Sequence, residues 1–259
     1  MRSILKLAAG AMIFGAMAFG AQAQTVKVGF SPEAYPPFWS ADASGNWTGW
    51  EVEIIEAICG EAKLDCELTP IPWDGLIPAL TTKKIDAIMN SMSITAEREK
   101  TIAFSDKYYN TPTAIIGPKG MAFEPTAEGL KDKIIGVQVS TVHAAYVKKH
   151  FADAVAEIKE YQTQDEANQD LAAGRIDATQ ADAIALDAFL KSDQGMACCD
   201  MKGNVAEDLE ILGPGVGAGV RKEDTELKEK LSAAIKAIRE NGTYAEITKK
   251  YFDFDVYGG

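Results

Sequence analysis

Residues able to hold a small acid are concentrated between Asp86 and Lys100, in the run D-A-I-M-N-S-M-S-I-T-A-E-R-E-K. Asp86-Ala87-Ile88-Met89 has the character of the end of a buried strand. From Thr95 the run has that of a helix start, with Arg98 in its first turn. Small polar residues, Asn90, Ser91 and Ser93, lie between the two. A strand-to-helix corner leaves backbone N–H groups pointing outward, and a guanidinium in the first turn can meet a carboxylate with two parallel hydrogen bonds. An ordinary capped helix, with Thr95 as cap and Glu97 and Arg98 solvated, explains the same residues equally well. The stretch by itself leaves both readings open.

The elements that must position this corner alternate along the chain. Thr25 to Phe30 reads as a strand, Trp50 to Glu61 as an amphipathic helix, Cys66 to Pro70 as a strand, Asp74 to Thr81 as a helix and Ile85 to Met89 as a strand. A similar run follows: strand Ile134 to Val137, helix Thr141 to His150, strand Glu157 to Tyr161, helix Gln164 to Ala173, strand Ile176 to Thr179. Lys84-Ile85-Asp86-Ala87 recurs in type as Arg175-Ile176-Asp177-Ala178, each ending a helix and opening a strand. These β-α-β-α-β runs predict an α/β fold of two related lobes, each a mostly parallel sheet flanked by helices. Two C-terminal helices, Glu223 to Asn241 and Thr243 to Phe252, are separated by Gly242.

The first 23 residues read as a signal peptide. Arg2 and Lys6 give a basic start, Leu7 to Phe19 is apolar but short for a membrane span, and Ala21-Gln22-Ala23 is a small-x-small cleavage site. Cleavage after Ala23 implies a periplasmic protein, and no cysteine stands there to carry a lipid anchor. Removing Arg2 and Lys6 takes the formal charge from −12 to −14. That acidity argues against nucleic acid and anionic membrane surfaces as partners.

Export makes disulfide pairing the default for four cysteines. Cys59 and Cys66 bracket a helix-to-strand turn, a separation a disulfide can bridge. Cys198 and Cys199 are adjacent, and the sequence leaves open whether they bond to each other, stay reduced or pair between molecules. His143 and His150 are the only histidines and are not spaced with the cysteines as zinc ligands are, so no metal or cofactor is implied.

Several runs together resemble the periplasmic amino-acid-binding proteins of ABC importers, in particular the lysine/arginine/ornithine and histidine binders. They are V-G-F-S-P-E-A-Y-P-P-F (Val28 to Phe38), G-W-E-V-E-I-I (Gly49 to Ile55), W-D-G-L-I-P-A-L (Trp73 to Leu80), K-K-I-D-A-I-M-N-S-M-S-I-T-A-E-R (Lys83 to Arg98), I-A-F-S-D-K-Y-Y (Ile102 to Tyr109), A-G-R-I-D-A (Ala173 to Ala178) and G-T-Y-A-E-I-T-K-K-Y-F (Gly242 to Phe252). In this order they cover nearly the whole mature chain. The Cys59 and Cys66 pair also resembles the disulfide of the histidine and lysine binders.

The resemblance implies a two-lobed clamp. Lobe 1 would comprise 24–111 and 215–259 and lobe 2 112–214, with hinge crossings near 110–114 and 210–216. By motif position the ligand carboxylate would meet Arg98 and the N–H groups of Ser93 and Thr141, with Ser140 and Asn90 beside them. The ammonium would meet Asp182 and Ser91, and Tyr35 and Trp73 would wall the ligand side chain. A zwitterion leaving water needs a hydrogen-bonded partner at each charge, so this set is chemically complete.

Glu33 reads either as a partner for a cationic head group or as a solvated loop residue. Asn90-Ser91 resembles the Ser-Ser of the cationic binders. Val139 stands where the family usually has glycine, which suggests a changed loop, and Val142 reduces the polar contacts. His143 belongs to the lobe 2 helix, close enough to the cleft for a ligand contact.

The function implied is a monomeric receptor. It would capture a polar, cationic L-amino acid of the arginine, lysine, ornithine or histidine class and deliver it to an inner-membrane permease, with chemoreceptor docking as an open additional role. The alternatives are a cyclohexadienyl or arogenate dehydratase-like enzyme on the same fold and an opine receptor. An enzyme needs a positioned acid or base, and only Glu33 and His143 stand unassigned near the cleft, in no nucleophile or dyad pattern.

Overall fold

The computed structural model describes residues 25–258. The leader read over 1–23 lies outside the described residues. In chain order the elements are β1 (Thr25–Phe30), β2 (Ser40–Ala41), β3 (Trp47–Thr48), α1 (Trp50–Glu61), β4 (Asp65–Pro70), α2 (Leu76–Thr81), β5 (Ala87–Ile88), α3 (Ala96–Glu99) and β6 (Ala103–Tyr109). There follow β7 (Thr113–Pro118), β8 (Ile134–Gln138), α4 (Val142–His150), β9 (Glu157–Tyr161), α5 (Gln164–Ala172), β10 (Ala178–Asp182), α6 (Ala183–Leu190), α7 (Asp193–Cys198), β11 (Cys199–Asn204) and α8 (Leu209–Leu212). The chain ends on β12 (Val216–Val220), α9 (Thr225–Glu240) and α10 (Thr243–Thr248).

Two five-stranded sheets result, ordered β4-β1-β5-β12-β6 and β11-β7-β10-β8-β9. In the first, β4, β1 and β5 run parallel and β12 is antiparallel to both its neighbours. In the second, β9, β8 and β10 run parallel and β7 is antiparallel to both of its neighbours. The reversed strands β7 and β12 are the ones that follow each passage of the chain from one sheet to the other, between Tyr109 and Thr113 and between Asn204 and Val216. The architecture is a two-lobed α/β fold with mostly parallel sheets.

Period-two burial makes β1: Val26, Val28 and Phe30 point into the core. Helical spacing makes α1, which buries Trp50, Ile54, Ile55 and Ile58 against the sheet and the C-terminal helices. The Trp50 indole N–H reaches the Thr248 hydroxyl at 3.1 Å, and the Tyr244 hydroxyl donates to the Tyr108 carbonyl at 2.7 Å, so α10 is tied to the same lobe. The recurring Ile-Asp-Ala phrase has one structural meaning in both lobes. Asp86 accepts the Lys27 N–H (3.1 Å) and donates its own N–H to the Lys27 carbonyl (2.8 Å). Asp177 makes the equivalent pair of contacts with Ile134, both at 2.8 Å. Each aspartate thereby locks the start of a central strand to its parallel neighbour.

Some element bounds differ from the sequence reading. β5 is only Ala87–Ile88, because the Asp86 side chain is spent on Lys27 and Asn90 beyond Met89 turns to Ser31. β10 starts two residues later than expected and runs to Asp182, pulled by its pairing with β7. The helix expected from Asp74 opens as a tight 3-10 turn over Trp73–Gly75 before α2. The Cys59–Cys66 bond is present, and Cys198 and Cys199 are bonded to each other.

Candidate functional site

The corner after β5 is held from below. Asn90 is buried and accepts the Ser31 N–H at 2.6 Å, while its side-chain nitrogen is buried without a partner. Ser91 takes a left-handed backbone (φ 53°). Its N–H donates to Glu51 Oε1 at 2.7 Å and its hydroxyl to Glu51 Oε2 at 2.9 Å. The Tyr108 hydroxyl donates to the same carboxylate. The corner is therefore not a set of open N–H groups: a carboxylate from α1 already occupies the one at Ser91. Further on, Ser93 bridges to Val216 through the Ile94 N–H to Gly215 (2.8 Å) and the Gly217 N–H to Met92 (3.2 Å), which leaves the Ser93 N–H out of the ladder.

The helix carrying Arg98 is a single turn, α3, capped by Thr95, whose hydroxyl accepts the Arg98 N–H at 3.2 Å. The guanidinium donates to the Ser93 carbonyl (2.8 Å) and, across the lobes, to the Ser140 carbonyl (3.2 Å). It also lies over the Trp73 ring, 5.5 Å from the centroid. Burial pulls the Arg98 pKa down to about 10, and the negative charge of Asp182 works the other way. A guanidinium has five N–H donors in a fixed fork, so two carbonyl contacts leave donors for a carboxylate.

Lobe 2 contributes Thr141 and Asp182. Thr141 caps α4, accepting the Ala144 N–H at 3.0 Å and donating its hydroxyl to the Gln138 carbonyl at 2.7 Å, so its side chain is committed to structure. Ser140 is exposed and holds φ 59°, so the left-handed position of this loop falls on Ser140 and not on Val139. Val139 instead extends the β8–β9 pairing through its N–H to Tyr161, 2.9 Å, which a β-branched residue tolerates well. Asp182 ends β10, accepts the Tyr35 hydroxyl at 2.8 Å, and stands 3.6 Å from Nε2 of the buried His143.

These residues surround one cleft between the lobes that encloses about 570 Å³, part of it open to solvent. Of the ten expected site residues, nine line it: Arg98, Ser93, Ser91, Asn90, Trp73, Tyr35, Glu33, Thr141 and Asp182. Ser140 does not, and it enters the site only through the carbonyl that Arg98 holds. Val142 and His143 line the cleft as well. The Glu33 carboxylate accepts the Ser31 hydroxyl and stays partly exposed at the rim of the cleft. Tyr35 is backed by Phe38 and Trp39, with ring centroids 5.8 and 5.3 Å away.

Sequence reasoning missed Ser31, Trp39, Gln138, Thr163 and Gln164 in the lining, and Glu51 beneath it. Thr163 carried a readable signal in the capping box it makes with Glu166, and so did Glu51. Glu51 lies three and four residues before Ile54 and Ile55, hence on the buried face of α1. Burial raises its carboxyl pKa to about 7, with the hydrogen bonds from Tyr108 and Ser91 opposing that rise. The cleft presents guanidinium donors on one side and carboxylates on the other, which is the pattern a zwitterion requires. Among the described residues no cluster of His, Cys, Asp and Glu could hold a metal ion, and no helix is long and apolar enough to cross a membrane.

The profile of the bacterial extracellular solute-binding proteins, family 3, matches residues 26–254. The histidine-binding periplasmic protein of Escherichia coli (strain K12) is 42% identical over 245 residues, 93% of each chain. The L-arginine-binding protein of Pseudomonas aeruginosa is 43% identical over 234 residues, 90% of each chain. Among solved structures, an ancestral arginine-binding protein bound to arginine superposes with a TM-score of 0.80 at 34% identity, covering 88% of this chain and 98% of that one.

Proposed function

This chain belongs to the bacterial extracellular solute-binding proteins, family 3, and from that premise we propose that its cleft takes a cationic L-amino acid. It is an amino-acid-binding receptor of the periplasm that serves an ABC importer, and not an enzyme, as its binding-protein relatives are. Residues 1–23 serve as its cleaved leader. It acts as a monomer whose lobes, 24–111 with 215–259 and 112–214, close over the ligand by turning about 110–114 and 210–216.

The observation that carries the reading is that Arg98 and Asp182, from opposite lobes, line one cleft. Arg98 takes the α-carboxylate with its free donors, helped by the N–H groups of Ser93 and Thr141. Asp182 and Ser91 take the α-ammonium. The side chain lies between Trp73 and Tyr35, and Trp73 already accommodates a cation over its ring in Arg98. Glu33 lines the same cleft and supplies negative charge for a cationic head.

An opine fits less well. Its second carboxylate needs a cation, and the hinge-side cavity that adjoins the cleft at Ser93, Val142 and Asp182 is lined by Asp182 and Glu207 with no basic side chain. The test is thermal unfolding of ligand-stripped mature protein against arginine, lysine, ornithine, histidine, glutamine, glutamate, an opine panel and arogenate. A ligand at 100 times its dissociation constant adds about 2.7 kcal/mol, a shift of a few degrees. Shifts confined to cationic amino acids are expected; a shift with glutamate or an opine alone would overturn the cationic assignment.

A further inference from the structure

Glu51 does not line the cleft, yet it controls a residue that does. Ser91 faces the ligand space, and both of its polar groups, N–H and hydroxyl, point back to the two oxygens of Glu51. A hydroxyl has one hydrogen and two lone pairs. With that hydrogen committed to Glu51, the Ser91 oxygen can only accept.

Glu51 is fully buried on α1, and among the described residues no Lys, Arg or His makes an ion pair with it. The titratable and charged groups around it are Tyr108 and Tyr109 from β6, Tyr35 from the loop after β1, and Asp182 from β10. None of these is a cation, although a buried carboxylate without compensating charge is costly. A cation delivered to Ser91 from the cleft side would supply that compensation.

We propose that Glu51 is a positioning residue for ammonium recognition: by taking the Ser91 hydrogen, it presents the Ser91 hydroxyl oxygen to the α-ammonium of the ligand as a fixed acceptor. The proposal rests on the amino-acid reading of the cleft and goes beyond it in assigning recognition to a residue that never touches the ligand. It requires the ionised carboxylate, because a protonated Glu51 could give its own hydrogen to Ser91 and turn the hydroxyl hydrogen into the cleft. Burial holds the Glu51 carboxyl at about 7, so pH 8 favours the ionised form, and a bound ammonium favours it further.

Titration calorimetry at pH 8 with L-arginine and with L-argininic acid, in which a hydroxyl replaces the α-ammonium, tests this. Wild-type protein should prefer arginine. Glu51→Gln keeps an acceptor for the Ser91 N–H but places an amide N–H against the Ser91 oxygen, reversing the hydroxyl. The preference for arginine over argininic acid should fall at least 10-fold. Ser91→Ala should lose preference comparably, and adding Glu51→Gln to it should change nothing more. An unchanged preference in Glu51→Gln, including one in which both compounds weaken equally, overturns the proposal, as does a further loss in the double variant.

If Glu51→Gln does not fold, the wild type decides. Its preference should fall from pH 8 to pH 6, and that fall should vanish in Ser91→Ala. A fall that persists there arises elsewhere than at the Glu51–Ser91 pair and overturns the role of Glu51. Wild-type protein that binds no amino acid overturns the underlying ligand reading instead, so the two failures are distinct.

Discussion

The Tyr35 hydroxyl donates to the Asp182 carboxylate at 2.8 Å, across 147 positions of sequence and from one lobe to the other. In the proposed reading this bond orients the carboxylate that takes the α-ammonium and, by joining the two lobes, favours their closed arrangement. A hydrogen bond to a charged group is worth about 1.5 to 3 kcal/mol. Tyr35→Phe should therefore weaken amino-acid binding by roughly 10- to 150-fold, with most of the change in the dissociation rate. Stopped-flow release of bound ligand measures it. An unaltered release rate would mean that the hydroxyl contributes nothing to closure.

In the proposed reading Arg98 carries the opposite pole. Its donors are divided between the Ser93 and Ser140 carbonyls and the open cleft, and its removal leaves a ligand carboxylate desolvated without a charged partner. Such a loss costs about 2 to 5 kcal/mol, roughly 30- to 4000-fold in affinity. Arg98→Ala should lose binding on that scale while keeping its far-ultraviolet circular dichroism, because α3 is one exposed turn outside the core. Retained affinity would remove Arg98 from the site.

How much of this was legible depended on whether a residue's role was local. The strands that Ile-Asp-Ala opens could be read because each aspartate acts on its adjacent strand, and Thr95 and Thr141 because caps are sequence-local. The position of Arg98 at a strand-to-helix corner followed from the same logic. Glu51 was not read, since its partners lie 40 and 57 residues away and only the packing of α1 under the corner joins them. Gln138 and Gln164 were missed for a similar reason: each enters the cleft because β8 ends and α5 begins at its rim. Val139 in place of the family's usual glycine pointed to a changed loop but not to where its left-handed residue falls, which is Ser140.

Trp73 should act as a selector and not merely as a wall. Its ring has one face toward the Arg98 guanidinium, and its indole N–H is buried without a partner. A flat ring attracts a cationic head by about 0.5 to 2 kcal/mol, and does so unequally for guanidinium, ammonium and imidazole. Trp73→Ala should weaken arginine, lysine and histidine by different factors and change their order. Competition binding with the three ligands shows this directly; equal weakening of all three would reduce Trp73 to a structural wall.

Glu51 also makes the stability of the ligand-free protein depend on pH. Its folded pKa, about 7, lies above the ordinary value of 4.5 because burial disfavours the charged form. Between those values the native state holds a proton that the unfolded chain has released, so the native state is favoured at the acid end of the window. That advantage declines as pH rises and is gone above about 7, a loss of about 3 kcal/mol. Asp170 and Asp208, whose pKa values are lowered by their basic partners, titrate on the acid side of this window and leave it undisturbed. Urea unfolding of wild-type and Glu51→Gln proteins at pH 5 and pH 8 isolates the effect. The wild type should lose about 2.5 kcal/mol relative to the glutamine variant between pH 5 and pH 8, and parallel behaviour of the two proteins would place the Glu51 carboxyl in its ordinary range.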